Sequence, residues 1–296
     1  MARCLVTGHC GYIGSEVYRQ LKEADHDVMG IDLVEGFDIL DELRPNSSGV
    51  FKSRWANFRP EYIFHLAAIP RVAYSVENPI EVIENNVLSS LYVMEFARAM
   101  NTKRVIYSSS SSVRGNGLGP ESPYAASKLM PESMCGVWSR LYGVDTVCLR
   151  YFNVYSPDQK ASGPYATAVA NWMQHIRDGK DPFITGTGEQ RRDMSHKLDV
   201  VSANIFCMTR EENFDGAFFD VGTGTNISLN ELRDIVLKHF PEVCFKYVAP
   251  RSGDVMLTKA DMSMAMEFGW LPSYNIAQGL EECFVKLKSE LGDINE

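Results

Sequence analysis

Tyr124 and Lys128, in Tyr124-Ala125-Ala126-Ser127-Lys128, stand four positions apart. On a helix such residues share one face, so a phenol and an ammonium can reach one site. A free phenol ionises near pH ~10 and is a poor base at neutral pH. A neighbouring cation stabilises the phenolate, so Lys128 is expected to lower the pKa of Tyr124. The pair could equally be a packed aromatic and a solvated charge, and the surroundings decide between these. Just upstream, Tyr107 to Val113 contains five consecutive serines, Ser108 to Ser112. A serine run looks like a flexible linker, yet this one follows an apolar strand directly. Strand C-termini in open α/β sheets face the ligand crevice. A hydroxyl there could hold a substrate oxygen beside Tyr124, although the run alone does not say which serine points inward.

Near the start lies Thr7-Gly8-His9-Cys10-Gly11-Tyr12-Ile13-Gly14. Cys4 to Val6 read as a short buried strand, and Tyr12 to Ala24 continue at helical spacing. Gly8, Gly11 and Gly14 let the backbone turn sharply and approach a pyrophosphate. The first helical residues, Tyr12, Ile13 and Gly14, offer free N–H groups and a partial positive charge to it. An acid follows at the right distance: Val28 to Ile31 read as a second strand, and Asp32 ends it, 18 residues after Gly14. A carboxylate there can accept bonds from both ribose hydroxyls of NAD and would repel the 2′-phosphate of NADP. Leu33, Val34 and Glu35 follow, offering no cation to a phosphate. Asp32 could also simply cap a turn.

Alternating strands and helices must position these groups. Tyr62 to Leu66, Arg104 to Tyr107 and Asp145 to Arg150 read as strands. Ile80 to Met100 and Tyr124 to Tyr142 read as helices. A short strand near Phe37-Asp38-Ile39 and a small helix around Val50 to Asn57 fill the gap after Asp32. This alternation implies an α/β fold of Rossmann type, a doubly wound parallel sheet with helices on both faces. The second half is less regular. Helices are expected over 164–178, 198–209, 229–240 (after Ser228 as N-cap) and 276–291, with strands over 217–221 and 245–248. A smaller C-terminal α/β substrate lobe is expected, with a substrate crevice beside the sheet. The expected division is 1–155 with 193–224 returning to it, against 156–192 and 225–296.

Composition excludes several function classes. The 296 residues carry a net charge of −9, which argues against a nucleic-acid partner. No apolar stretch approaches the ~20 residues that span a bilayer. The first strand begins at once, so no signal peptide is expected. Seven scattered cysteines form no Cys-x-x-Cys pair, so neither a zinc site nor a disulfide framework is suggested. No metal and a reduced, cytoplasmic location are the expectations.

Together, the turn at Thr7–Gly14, Asp38-Ile39, His65-Leu66-Ala67-Ala68, the serine run before Val113 and Gly115, and Pro123-Tyr124 through Lys128 resemble the extended short-chain dehydrogenase/reductase family. More narrowly they resemble its nucleotide-sugar epimerases and dehydratases, of the UDP-glucose 4-epimerase-like kind. The resemblance continues through Leu149–Tyr155, Gly188–Asp193 and Arg251–Asp254, and so covers nearly the whole chain. It implies NAD as cofactor and a nucleotide-diphosphate sugar as substrate. Asp38 and Ile39 would contact the adenine, and Ala67, flanked by Leu66 and Ala68, would line the cofactor cleft. Ser110, three before Val113, matches the catalytic Ser/Thr, with Ser111 beside it at the substrate. Tyr124 would be the base and Lys128 its ribose-binding partner. Asn153, Arg192 and Arg251 match positions that hold the sugar nucleotide, the arginines gripping the diphosphate. The helices at 80–100 and 124–142 match the pair that forms a homodimer interface.

The same resemblance narrows the reaction. In 4,6-dehydratases and decarboxylases acidic residues follow the catalytic Ser/Thr, whereas here Ser111 and Ser112 follow. That disfavours elimination and decarboxylation and leaves 4-epimerisation through a transient 4-keto sugar, with another oxidoreductase of the family (a 4-keto reductase or a 4,6-dehydratase) as the alternative. A carbonyl reductase of this fold would keep Tyr124 and Lys128 but usually exchanges NADPH, which Asp32 opposes. A non-catalytic NAD sensor typically lacks the Tyr/Lys pair. The chain departs from the family pattern in short loops after Asp32 and before Tyr124, in Arg114 and Ser156, and in Pro131. The proline cannot donate a helical hydrogen bond and is expected to kink the active-site helix. Leu257 falls where the family gates 2-acetamido sugars, and its medium size does not decide.

Overall fold

The structure is a computed structural model that describes residues 1–115, 117–159, 167–250 and 255–294. It divides into two compact units, 1–150 with 201–219 and 151–200 with 220–296. In chain order the first elements are β1 (Arg3–Thr7), α1 (Gly14–Glu23), β2 (Asp27–Ile31), α2 (Ile39–Glu42), α3 (Ser53–Phe58) and β3 (Tyr62–His65). Next come α4 (Val72–Glu77), α5 (Pro79–Ile83), α6 (Ser89–Met100), β4 (Arg104–Ser110), α7 (Pro123–Tyr142) and β5 (Asp145–Tyr151). The rest are α8 (Ala168–Arg177), β6 (Phe183–Thr185), β7 (Arg191–Arg192), α9 (Lys197–Thr209), β8 (Ala217–Val221), β9 (Ile227–Ser228), α10 (Leu229–His239), β10 (Lys246–Val248), α11 (Ser263–Phe268) and α12 (Ile276–Ile294).

Among the described residues, six strands form one sheet in the order β2-β1-β3-β4-β5-β8. β1 pairs in parallel with β2 and β3, and β3 with β4. The chain moves outward from β1 to β2, then crosses back to β3 on the other side. Loops that leave β1 and β3 therefore diverge at the carboxyl edge, where open α/β sheets bind ligands. Every residue of β5 is buried, as in a strand covered on both faces. One core gathers Leu5, Ile31, Trp55, Ile63, Val93, Phe96 and Val105. The second unit has its own core of Tyr155, Trp172, Met173, Val236, Leu280 and Phe284. Ser228 caps α10 in a full capping box with Glu231.

Two local expectations are corrected. Phe37-Asp38-Ile39 is not a strand: Gly36 sits at φ +81°, and the Asp38 carboxylate accepts the Leu40 N–H, which starts α2 instead. The helix expected over 80–100 starts at Pro79 as α5 and loosens into a π turn at Glu84–Leu88 before α6 resumes. That extra residue per turn aims Asn86 inward, where its side chain bonds Ile69 and Ser127. α7 runs through Pro131 as one helix from Pro123 to Tyr142. The helix expected over 164–178 is described from Ala168, and its first residues lie outside the described range.

Candidate active site

The glycine turn is built by close approach. Gly8 has φ +71°, and a Cβ there would lie 2.7 Å from the Ala67 nitrogen. A Cβ on Gly14 would lie 2.0 Å from the Gly8 carbonyl oxygen. Both glycines are therefore required by contact, and Gly8 is packed against the Leu66-Ala67-Ala68 segment that leaves β3. Ile13 stands at the N-cap of α1 with no side-chain hydrogen bond there, and the Gly11 and Ile13 carbonyls accept the Ser15 and Glu16 N–H groups at 3.0 Å and 3.1 Å. The Asp32 carboxylate accepts the Cys10 N–H at 2.8 Å and the Val34 N–H at 3.0 Å. It thus caps a turn and still keeps acceptor capacity at the end of β2. Cradle, helix end and carboxylate fit a dinucleotide. Asp38 caps α2, while Ile39 is buried in the core, so adenine contact would fall to Asp38 and the Ile39 backbone.

A second set surrounds the start of α7. Pro123 opens that helix, the Ser122 side chain caps it, and Ser75 Oγ accepts the Tyr124 N–H at 3.0 Å. Tyr124 is buried, and the Ser110 side chain lies near enough to its phenol to favour the ionised form. Ser110 ends β4 and accepts the Ser112 N–H and hydroxyl, at 3.2 Å and 2.9 Å. Ser111 begins the short 3-10 turn that follows. The serine run is thus partitioned: Ser110 meets Tyr124, and Ser109 Oγ donates to Glu132 at 2.5 Å. Lys128 Nζ donates to the Ser108 carbonyl at 2.8 Å and lies 5.3 Å from the Tyr107 ring centroid.

In the chain alone, burial dominates the electrostatics of this pair. Burial raises the Tyr124 pKa in the chain alone, and the nearby Ser110 side chain only partly opposes it. Burial also brings Lys128 down to about 7, against the pull of Glu132. The expected lowering of the phenol rests on a protonated Lys128 together with the positive nicotinamide of bound NAD, and in the chain alone burial opposes it. Burial likewise holds His65 neutral, down to about 3. His65 bonds Thr7 Oγ1 at 2.8 Å and Ser90 Oγ at 2.9 Å, which ties β1, β3 and α6 beneath the cradle.

Sequence reasoning missed Glu132, Ser75 and Asn86. Glu132 carried a signal, since it lies four positions after Lys128 on the same helical face. It is buried in an ion pair with Arg150, with bonds of 2.9 Å and 2.6 Å. Ser75 and Asn86 carried none, because their partners are brought to them by the fold.

In the second unit, Asn153 takes φ +35°, and its amide donates to the Asp193 carbonyl at 2.7 Å. The Asp193 carboxylate is fully buried and accepts from Thr223, Gly224 and Ala260. Along β7 the two arginines part. Arg191 bonds Asn226 and Glu231, while half-buried Arg192 reaches back to the Arg191 carbonyl at 3.1 Å. Leu257 is exposed. Arg251 lies outside the described residues.

The model of the NAD dependent epimerase/dehydratase family matches residues 4–222. A putative UDP-glucose 4-epimerase of Methanocaldococcus jannaschii is 31% identical, over 94% of this chain and 95% of that protein. Among solved structures, the chain is similar to UDP-glucose 4-epimerase of Thermotoga maritima with UDP-glucose, at TM-score 0.86 and 30% identity, over 98% of this chain and 99% of the other. It is also similar to UDP-N-acetylglucosamine 4-epimerase of Methanobrevibacter ruminantium in complex with UDP-N-acetylmuramic acid. There the TM-score is 0.85 and the identity 30%, again over 98% and 99% of the two chains.

Proposed function

The chain belongs to the NAD dependent epimerase/dehydratase family, and on that premise we propose that it is a 4-epimerase of a UDP-hexose. The observation that carries this reading is a buried Tyr124 phenol beside the Ser110 hydroxyl, in a family whose similar members include UDP-sugar 4-epimerases. Gly8, Gly11, the N–H groups of Tyr12, Ile13 and Gly14, Asp32, and the Leu66–Ala68 segment hold the NAD. When bound, NAD supplies a hydride acceptor that can return the hydride. Tyr124 takes the proton of the sugar 4-hydroxyl while Ser110 holds that oxygen. The sugar passes through a 4-ketone and receives its proton back from Tyr124 on re-reduction. Lys128 binds the cofactor ribose and, when protonated, favours the phenolate. Asn153, Arg192 and Arg251 hold the nucleotide diphosphate, with Ser111 at the hexose.

Ser111 and Ser112 in place of acids support epimerisation over dehydration. Among the described residues no helix is long and apolar enough to cross a membrane. Seven free cysteines support a reducing, cytoplasmic setting. Exposed Ile80, Met130, Leu141 and Tyr142 on α5 and α7 support a homodimer through these helices. The test is incubation of purified protein, without added NAD, with UDP-glucose and with UDP-N-acetylglucosamine, and chromatography of the products. A C4 epimer of either sugar is expected, and conversion of neither would overturn the UDP-hexose assignment.

A further inference from the structure

We propose that His9 Nε2, Cys10 Sγ and Glu35 Oε2 form a site for one divalent cation of the zinc class, set on the glycine turn. None of these side chains has a part in the sugar chemistry above. Their three ligand atoms lie within 4.8 Å of one another. His9 Nε2 is 3.4 Å from the Glu35 carboxylate and 3.6 Å from the Cys10 sulfur. In a tetrahedral zinc site the nitrogen–oxygen edge is about 3.3 Å and the nitrogen–sulfur edge about 3.5 Å, from bonds of about 2.0 Å and 2.3 Å. The chain thus holds these edges nearly at coordination length with no ion present.

The imidazole is seated, not loose. Its side chain is 9% exposed, and Nδ1 has no hydrogen-bond partner among the described residues. The ring lies over the Gly30 backbone, where a Cβ would stand 2.4 Å from it, and 5.1 Å from the Tyr18 ring. Cys10 is held in turn by its N–H bond to Asp32. Glu35 closes the short turn that Asp32 caps. The carboxylates of Asp32 and Glu35, on either side of this turn, attract a cation. On binding, the thiol loses its proton to solvent and the sulfur donates its pair to the metal, with no redox change. Water completes the fourth position.

The inference does not depend on the sugar reading, and its test needs no turnover. The purified full chain, with Cys244 (the other exposed cysteine) changed to Ser, is titrated with Co(II) and followed by absorption. One equivalent is expected to develop a thiolate-to-cobalt charge-transfer band with four-coordinate ligand-field bands, displaced by Zn(II). Cys10→Ser should lose the charge-transfer band. Glu35→Gln, at an exposed position that should not disturb folding, should need more Co(II) to reach the same signal. Gly30→Ala keeps all three ligands but displaces the imidazole, and should also lose the four-coordinate spectrum. A spectrum that stays that of the aquated ion, or a charge-transfer band unchanged in Cys10→Ser or in Glu35→Gln, overturns the proposal.

Discussion

At the scale of single residues, Tyr124 and Lys128 are governed by burial as much as by each other. Tyr124→Phe keeps the ring in its packed place and removes only the phenol oxygen. It should lower kcat by about 10²–10⁴-fold while NAD stays bound. Turnover with protein-bound NAD counted by absorbance is the check, and near-normal kcat would remove Tyr124 from the chemistry. Lys128 carries a prediction about pH. Its folded pKa is about 7, below the ordinary lysine value of 10.5, so the protonated form favours the unfolded chain. The resulting penalty is full below about pH 7 and fades as pH rises toward 10.5. Lys128→Met removes it, so the variant's stability relative to wild type should fall steadily from pH 7 to pH 10 in denaturant melts. A pH-independent difference would mean that Lys128 is not depressed. Both residues were legible from their spacing, because helical periodicity alone places i and i+4 together. The sign of the Tyr124 shift was not legible, because it depends on how dry the pocket is. Ser110 rested on resemblance until β4 was seen to end there.

At the scale of elements, the cradle depends on backbone passing close to backbone. Gly8→Ala puts a Cβ against Ala67 at a φ that side chains rarely adopt, so it should lose bound NAD while the remainder of the chain stays folded. Cofactor content after gel filtration reads this directly, and full occupancy would contradict the packing argument. α7 is held to the sheet by Glu132 and Arg150. Glu132→Leu leaves a buried guanidinium unpaired and should cost about 3–5 kcal/mol in equilibrium unfolding, where Glu132→Gln should cost less. Equal losses would mean that shape, not charge, matters there. Long periodic elements such as α7, α9 and β5 were readable from sequence because burial repeats along them. The stretch at 37–42 was misread as a strand because a single carboxylate, Asp38, diverts it into a helix. The π turn at Glu84–Leu88 was hidden because apolar spacing continues across it.

At the scale of the whole molecule, the first unit is completed by a returning segment, 201–219. Arg104 on β4 pairs with buried Asp145 and donates to the Arg210 and Glu212 carbonyls, each at 2.8 Å. Asp145 in turn accepts the N–H groups of Phe214 and Asp215. No sequence pattern announced this strap, since its partners lie between 69 and 108 positions apart and one side of it is backbone. The homodimer proposed through α5 and α7 should show in light scattering as twice the 33.2 kDa chain. A mass of one chain would instead leave the exposed apolar residues of those helices without that explanation.

The central claim is internal hydride return at C4, and proton NMR of a UDP-hexose turnover in D₂O, with no added cofactor, tests it most directly. The C4 epimer should appear with no deuterium at any carbon. Deuterium at C3 or C5 would mean enolisation instead of transient oxidation at C4, and turnover that begins only after a reduced cofactor is added would make the protein a reductase.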